Sequence, residues 1–178
     1  AQDEALIAGF AALARRFVDA AAQGRVLPFS NLLDLLAKLH AGDVRHVPCG
    51  AGLGYVAMDA QGDYYPCHRF AGDAAFRIGD VAAGLDHAKV RSYLDGEARA
   101  RAPHCASCWA RSLCAGGCHY DNHQREVVLR QPRGGSCDFI RRWTALGLSV
   151  YAELRGVGGP ALAFLDRRAG LDHGGSGQ

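Results

Sequence analysis

The sequence predicts a small α+β fold in which helices flank a short β-hairpin and cysteine-rich loops. Three observations lead there. Apolar residues recur at helical spacing near both ends of the chain. Two short runs of strand-forming residues meet at a glycine turn. Seven cysteines occupy the middle: Cys49, Cys67, Cys105, Cys108, Cys114, Cys118 and Cys137. With 178 residues, 49% of them hydrophobic and 21% charged, the chain has the composition of a folded domain that buries a core.

From the N-terminus, Leu6, Phe10, Leu13, Phe17 and Ala21 fall at spacings of three and four and predict a helix over 3–22, with Gly24 as its stop. Leu32, Leu35, Leu36 and Leu39 predict a second helix over 31–40, with Ser30 as the N-cap and Gly42 as the end. Such stripes are core-packing faces. After Pro48 the period changes. Residues 55–58 and 63–65 read as two strands joined through Gly62, which suits a positive-φ turn position. Cys49 thus precedes a hairpin and Cys67 follows it, an arrangement that brings the two thiols towards each other. Residues 76–78 read as another short strand. A helix is expected over 87–98, carrying Val90 and Leu94. A cysteine-dense loop spans 105–118, and a C-terminal helix over 139–154 carries Ile140, Trp143, Leu146, Val150 and Leu154. After Gly156 the chain is expected to loosen, with a disordered tail over 172–178.

Composition narrows the function. Twenty basic against eighteen acidic residues leave a net charge of +2, with no electrostatic footprint for nucleic acid. No apolar run reaches the roughly 18–20 residues of a membrane span, so neither partner is expected. An odd number of cysteines cannot close entirely into disulfides, and no export signal opens the chain, so a cytoplasmic compartment is expected, where clustered thiols hold metal. The chain begins at Ala1 inside a helical pattern, as a piece of a longer protein would. Cys105-x2-Cys108 lets two thiolates reach one centre from a tight turn, and soft thiolates select zinc or iron–sulfur clusters. One such pair followed by spacings of five and three departs from the two-knuckle zinc pattern.

The series Cys49-x12-Gly62-x4-Cys67, a gap, Cys105-x2-Cys108-x5-Cys114-x3-Cys118, a gap and Cys137 resembles the SPASM domain over roughly residues 46–140. That domain is the C-terminal auxiliary-cluster module of radical S-adenosylmethionine (SAM) enzymes that modify peptides and proteins. The run Tyr65-Pro66-Cys67-His68-Arg69-Phe70 further resembles maturases of quinohemoprotein amine dehydrogenases, which implies Cys-to-Asp or Cys-to-Glu thioether products. The resemblance implies that residues 1–45 are the helical end of a truncated radical SAM barrel, that 46–140 wrap two [4Fe–4S] clusters, and that 141–171 are a C-terminal helix and extension. Cys105, Cys108, Cys114 and Cys137 would hold the second, distal auxiliary cluster. Cys49, Cys67 and Cys118 would hold three irons of the first. Relatives that supply an eighth cysteine place it just before the first; here Asp43, Arg45 and His46 stand there, leaving the fourth iron open, bound to substrate, or met by Asp43 or His46.

The SAM-cleaving motif Cys-x3-Cys-x2-Cys is absent: Cys114-x3-Cys118 is followed at the required position by Asp121. The chain is thus expected either to be the C-terminal part of a longer oxidoreductase, with SAM and a third [4Fe–4S] cluster in the missing N-terminal part and catalysis only within that parent, or to be a stand-alone accessory. In the parent the implied partners are a peptide or small protein substrate and an electron donor such as a flavodoxin or ferredoxin. A structural zinc module and a peptide-binding adaptor are the other classes open to this sequence. His68 and Arg69 are read as surface or packing residues with a cluster-tuning role open to them. His119 and His123 have zinc-like spacing if helical. Trp109 and Tyr120 flank the loop as shields or stacking surfaces, Arg-rich 99–101 and 141–142 as solvated faces, and Gly116-Gly117 as room for backbone to approach sulfide.

Overall fold

The computed structural model describes residues 2–124 and 134–170. The chain is mixed α and β, with a small four-stranded antiparallel sheet among its helices. It divides into two compact units, one drawn from 1–44 and 137–178 and the other from 45–136. The expected tail at 172–178 lies outside the described residues.

The first unit is helical. It contains α1 (Gln2–Ala22), α2 (Ser30–Ala41), most of α6 (Gly134–Val157) and α7 (Pro160–Ala169). Its core gathers Ala14, Phe17 and Ala21 of α1, Leu32, Leu33 and Leu36 of α2, Val150 and Leu154 of α6, and Leu165 of α7. The buried stripe of α1 differs from the expected one. Leu6 and Leu13 are exposed, while Ile7 and Ala14 are buried in their place. Small Ala14, Ala20 and Ala21 let neighbouring helices approach, and the side chains one position away turn outward. Gly147 on α6 works the same way, since a Cβ there would overlap the Leu35 side chain.

Ser30 is not the N-cap of α2. It is the first helical residue, Phe29 stands at the cap without a side-chain hydrogen bond, and the Ser30 hydroxyl turns to Asn31 Oδ1 at 3.3 Å. Gly42 ends the helix in the left-handed conformation, its N–H bonded to Leu39 O. The chain does not loosen after Gly156. Gly158 and Gly159 make a left-handed turn, Pro160 opens α7 as a first-turn proline, and the helix runs to a second glycine cap at Gly170. Two side-chain contacts fasten α7: His40 on α2 bonds Tyr151 on α6 at 3.0 Å and Asp166 on α7 at 2.7 Å, and Arg168 pairs with Asp34 at 2.5 Å.

The second unit holds the sheet. Strands β1 (Ala57–Met58), β2 (Asp63–Tyr65), β3 (Gly79–Asp80) and β4 (Gly84–Leu85) lie in chain order, all antiparallel, with Ala57 opposite Tyr65, Tyr64 opposite Gly79 and Asp80 opposite Gly84. The first hairpin turns at Gly62 (φ +86°) and is braced by Asp59, which accepts from Gln61 N–H, Asp63 N–H and Tyr65 OH. The strand expected at 76–78 lies at Gly79–Asp80 instead. Residues Ala74–Phe76 form a 3-10 turn capped by Asp73, and Ile78 is tied beside the sheet by its N–H on Tyr64 O at 2.7 Å and by its carbonyl, which accepts from Asp86 N–H at 2.8 Å. Arg77 pairs with Asp63 at 2.6 Å and Asp80 at 2.7 Å, tying β2 to β3. Three helices follow: α3 (His87–Cys105), longer than expected, then short α4 (Arg111–Cys114) and α5 (His119–Gln124). The core of this unit is thin: Ala51, Tyr65, Cys67 and Phe70 are buried, with Cys49, Phe76, Tyr93 and Tyr120 packed around them. None of the described helices is long and apolar enough to cross a membrane.

Candidate functional site

Cys49 and Cys67 are brought close by a tight loop. Gly50 O accepts from the N–H groups of Leu53, Gly54 and Tyr55, folding the chain back just after Cys49. Gly52 N–H then donates to both Tyr55 O (3.0 Å) and Pro66 O (2.9 Å), joining this loop to the residue before Cys67. Gly52 has φ +72°, and a Cβ on it would stand 3.2 Å from the Tyr93 ring, so the close approach needs glycine. Cys67 is buried and leads into a 3-10 turn over His68–Phe70, its carbonyl accepting from Phe70 N–H.

Cys118, whose thiol is exposed, is linked to the segment after Cys67 through Arg69. It precedes α5, where its carbonyl takes the N–H of Asn122 at 3.0 Å. Arg69, two residues after Cys67, directs Nη1 at Cys118 Sγ (3.5 Å) and at Asp121 Oδ1 (2.9 Å). Its guanidinium carbon lies 4.3 Å over the Tyr120 ring. Two tyrosines register all three thiols together. Burial pushes the Tyr55 hydroxyl up, and Cys49, Cys67 and then Cys118 raise it further. Burial also drives the Tyr93 hydroxyl far above the ordinary phenol range, with Glu97 next and then Cys67, Cys49 and Cys118.

Beneath the trio runs a buried polar line. Tyr93 OH and His119 Nδ1 share a hydrogen bond of 2.6 Å, and Glu97 lies 4.0 Å beyond on the same ring nitrogen. His119 is only 3% exposed. His119 and His123 are indeed on one helix, but His119 turns to Tyr93, and the His123 ring packs edge-on against Phe76 at 4.6 Å. Beside Tyr93 opens a cleft of about 320 Å³ lined by Pro66, Phe76, Arg77, Lys89, Tyr93 and Glu97, a mixed apolar and charged surface.

Cys105, Cys108 and Cys114 follow on successive turns. Cys105 ends α3, and its carbonyl takes the N–H of Cys108 at 3.2 Å; Cys108 O takes Arg111 N–H at 3.1 Å; Cys114 N–H closes on Ala110 O at 2.9 Å. All three thiols are half-buried. Between Cys114 and Cys118 the residues Ala115, Gly116 and Gly117 all have positive φ (54°, 103° and 77°). That run wraps the backbone tightly between two cysteines, and alanine at the first position is strained. Asn122 Nδ2 braces it by donating to Gly116 O at 2.8 Å. Cys137 is half-buried on α6, in the other unit.

No disulfide joins any of the seven cysteines, all of which are among the described residues. Also among the described residues, no three His, Cys, Asp or Glu side chains converge tightly enough to grip one metal ion. A [4Fe–4S] cube is held at separate iron corners, so its thiolates stand further apart than the ligands of a single ion. Cys49, Cys67 and Cys118 are free thiols, and soft thiolate is the donor that such a cube takes. Trp109 is exposed, and Tyr120 packs edge-on against Phe70 at 5.2 Å. Arg142 pairs with Glu4 on the surface of the helical unit. Tyr55, Tyr93 and Glu97 were not legible as site residues in the sequence. The one signal they left is the i, i+4 placement of Tyr93 and Glu97 on α3, which puts both on one face. In comparisons with known proteins, no family model and no curated sequence matches the chain.

Proposed function

We propose that the chain is the auxiliary-cluster portion of a radical SAM enzyme that modifies a peptide or protein substrate. Cys49, Cys67 and Cys118 would hold the first auxiliary [4Fe–4S] cluster, and Cys105, Cys108, Cys114 and Cys137 the second. Once bound, the clusters would supply one-electron transfer between a substrate radical and an external electron donor protein. The observation that carries this reading is that the segments bearing Cys49, Cys67 and Cys118 are tied to one another, the Cys49 loop to the Cys67 segment through Gly52 N–H on Pro66 O and the Cys67 turn to Cys118 through Arg69.

The residues around the trio have roles consistent with this chemistry. Phe70, Phe76, Tyr93 and Tyr120 pack in the same cluster as Cys67 and Cys49 and limit water there, which influences cluster potential, while Cys118 is exposed. The thin core of the unit is what a fold organised by ligation would have, since bound metal contributes folding free energy directly. For the narrower resemblance, the product would be a thioether between a cysteine and an acidic residue of the substrate.

Iron and acid-labile sulfide analysis of anaerobically prepared protein tests the proposal. Two cubes require about eight irons and about eight sulfides per chain and a brown colour. A colourless protein with about two zinc ions would replace the proposal with a structural zinc module. Clusters that are present while redox cycling leaves function untouched would leave a peptide-binding adaptor whose clusters only brace the fold.

A further inference from the structure

The surroundings of Arg69 set it apart from the other exposed cations of this unit. Its guanidinium meets a sulfur, a carboxylate and a ring at once: Cys118 Sγ at 3.5 Å, Asp121 Oδ1 at 2.9 Å and the Tyr120 face at 4.3 Å. Cys118, Tyr120 and Asp121 all belong to the segment entering α5, whereas Arg69 stands on the turn that follows Cys67. The side chain therefore links two thiol-bearing segments. Nη1 meets both the sulfur and the carboxylate while the guanidinium lies over the ring, and together these contacts hold the planar fork as a lone surface ion pair would not.

We infer that Arg69 is a positioning residue that directs its positive charge at Cys118 Sγ and thereby raises the reduction potential of the cluster held by Cys49, Cys67 and Cys118. The inference rests on the proposed function. An N–H donor and a positive charge at a ligating sulfur stabilise the state that carries one more electron. The couple involved adds a single electron, delivered by dithionite in a titration, with no bond broken and no proton moved. Asp121 and Tyr120 have a supporting part: the carboxylate anchors the fork from one side, and the ring receives its face.

The experiment is an anaerobic redox titration of the iron-loaded chain followed by electron paramagnetic resonance, with iron and sulfide counted on the same samples. Arg69→Gln, Arg69→Met and Arg69→Lys are compared with the wild type. Arg69→Gln and Arg69→Met, with iron content unchanged, are expected to lower the midpoint of one cluster by at least tenfold in the reduction equilibrium, ~59 mV for one electron, and to leave the other cluster in place. Arg69→Lys keeps the charge on a flexible stem without the fork, so its midpoint falls between theirs and the wild type's. If Arg69→Met fails to load, the Gln and Lys variants carry the comparison. Wild-type midpoints in iron-loaded variants would overturn the inference and leave the proposed function standing. Loss of iron in all three would assign Arg69 to bracing the fold and overturn it as well. A wild-type chain that carries no iron would overturn the proposed function itself, and the inference with it.

Discussion

A methyl group at Gly52 meets two separate obstacles. The first is conformational: φ is +72°, a region in which an L-residue with a Cβ is disfavoured by roughly 1–2 kcal/mol. The second is steric, because the new Cβ would stand 3.2 Å from Cδ1 and Cε1 of Tyr93. That ring is held at its hydroxyl by the 2.6 Å bond to His119, and the Gly52 backbone is held by bonds to Tyr55 O and Pro66 O. Neither side yields easily, and overpacking of this kind costs about 1 kcal/mol or more. Gly52→Ala should therefore destabilise the unit by about 2–3 kcal/mol, which lowers the thermal midpoint by roughly 5–10 °C for a chain of this size. Gly72→Ala supplies the control. Its φ is +85°, but nothing lies within 4 Å of the Cβ position, so only the first cost applies and the midpoint should fall less than in Gly52→Ala, by about 2–8 °C. Thermal unfolding followed by tyrosine absorbance measures both. Equal shifts in the two variants would refute the argument that Tyr93 is packed against this loop.

Other changes test other joints of the structure. Gly79→Ala places a Cβ on the carbonyl oxygen of Gly84 and 3.0 Å from Leu85 Cα; both are backbone, so the β3–β4 pairing must open, with a loss of about 3–5 kcal/mol read as a large drop in thermal midpoint. The Asp80 carboxyl is held below its ordinary 3.8, first by Ala83 N–H, then by Ala82 N–H and Arg77. A depressed folded-state pKa contributes stability that is complete above the unfolded value and is lost as pH falls through the folded one. Asp80→Asn should flatten the decline in thermal midpoint below about pH 4, and an unchanged acid limb would count against this role. Cys114→Ala should remove about half of the bound iron and most turnover of the parent enzyme; full iron content with full turnover would contradict its assignment as a ligand.

Elements with strong local chemistry were readable in the sequence. The hairpin at 57–65 could be read because Gly62 and Asp59 define its turn without distant help. The same holds for α2, whose leucine stripe and glycine stop are local signals. The buried face of α1 was read correctly at Phe17 and Ala21 but not at Leu6 and Leu13, which satisfy helical periodicity as well as Ile7 and Ala14 do. Only the neighbouring helices decide between those two stripes. Gly158, Gly159 and Pro160 suggested a loose tail, yet the same residues stop one helix and start the next. Among the site residues, the cysteines drew notice by their spacing. Arg69 was read only as a surface or packing residue with a cluster-tuning role open to it, and Tyr93 drew no notice, since their partners Cys118 and His119 are distant in sequence and belong to a helix start whose position relative to them depends on the fold.

The central claim is that the seven thiols divide into a trio and a quartet, each around its own iron cube. Counting clusters by electron paramagnetic resonance and iron analysis in Cys49→Ser and Cys108→Ser tests that division most directly. The account predicts that each variant keeps one cluster with its own spectrum, that the two surviving spectra differ, and that together they reproduce the wild type. Identical surviving spectra, or iron content unaffected by either change, would contradict it.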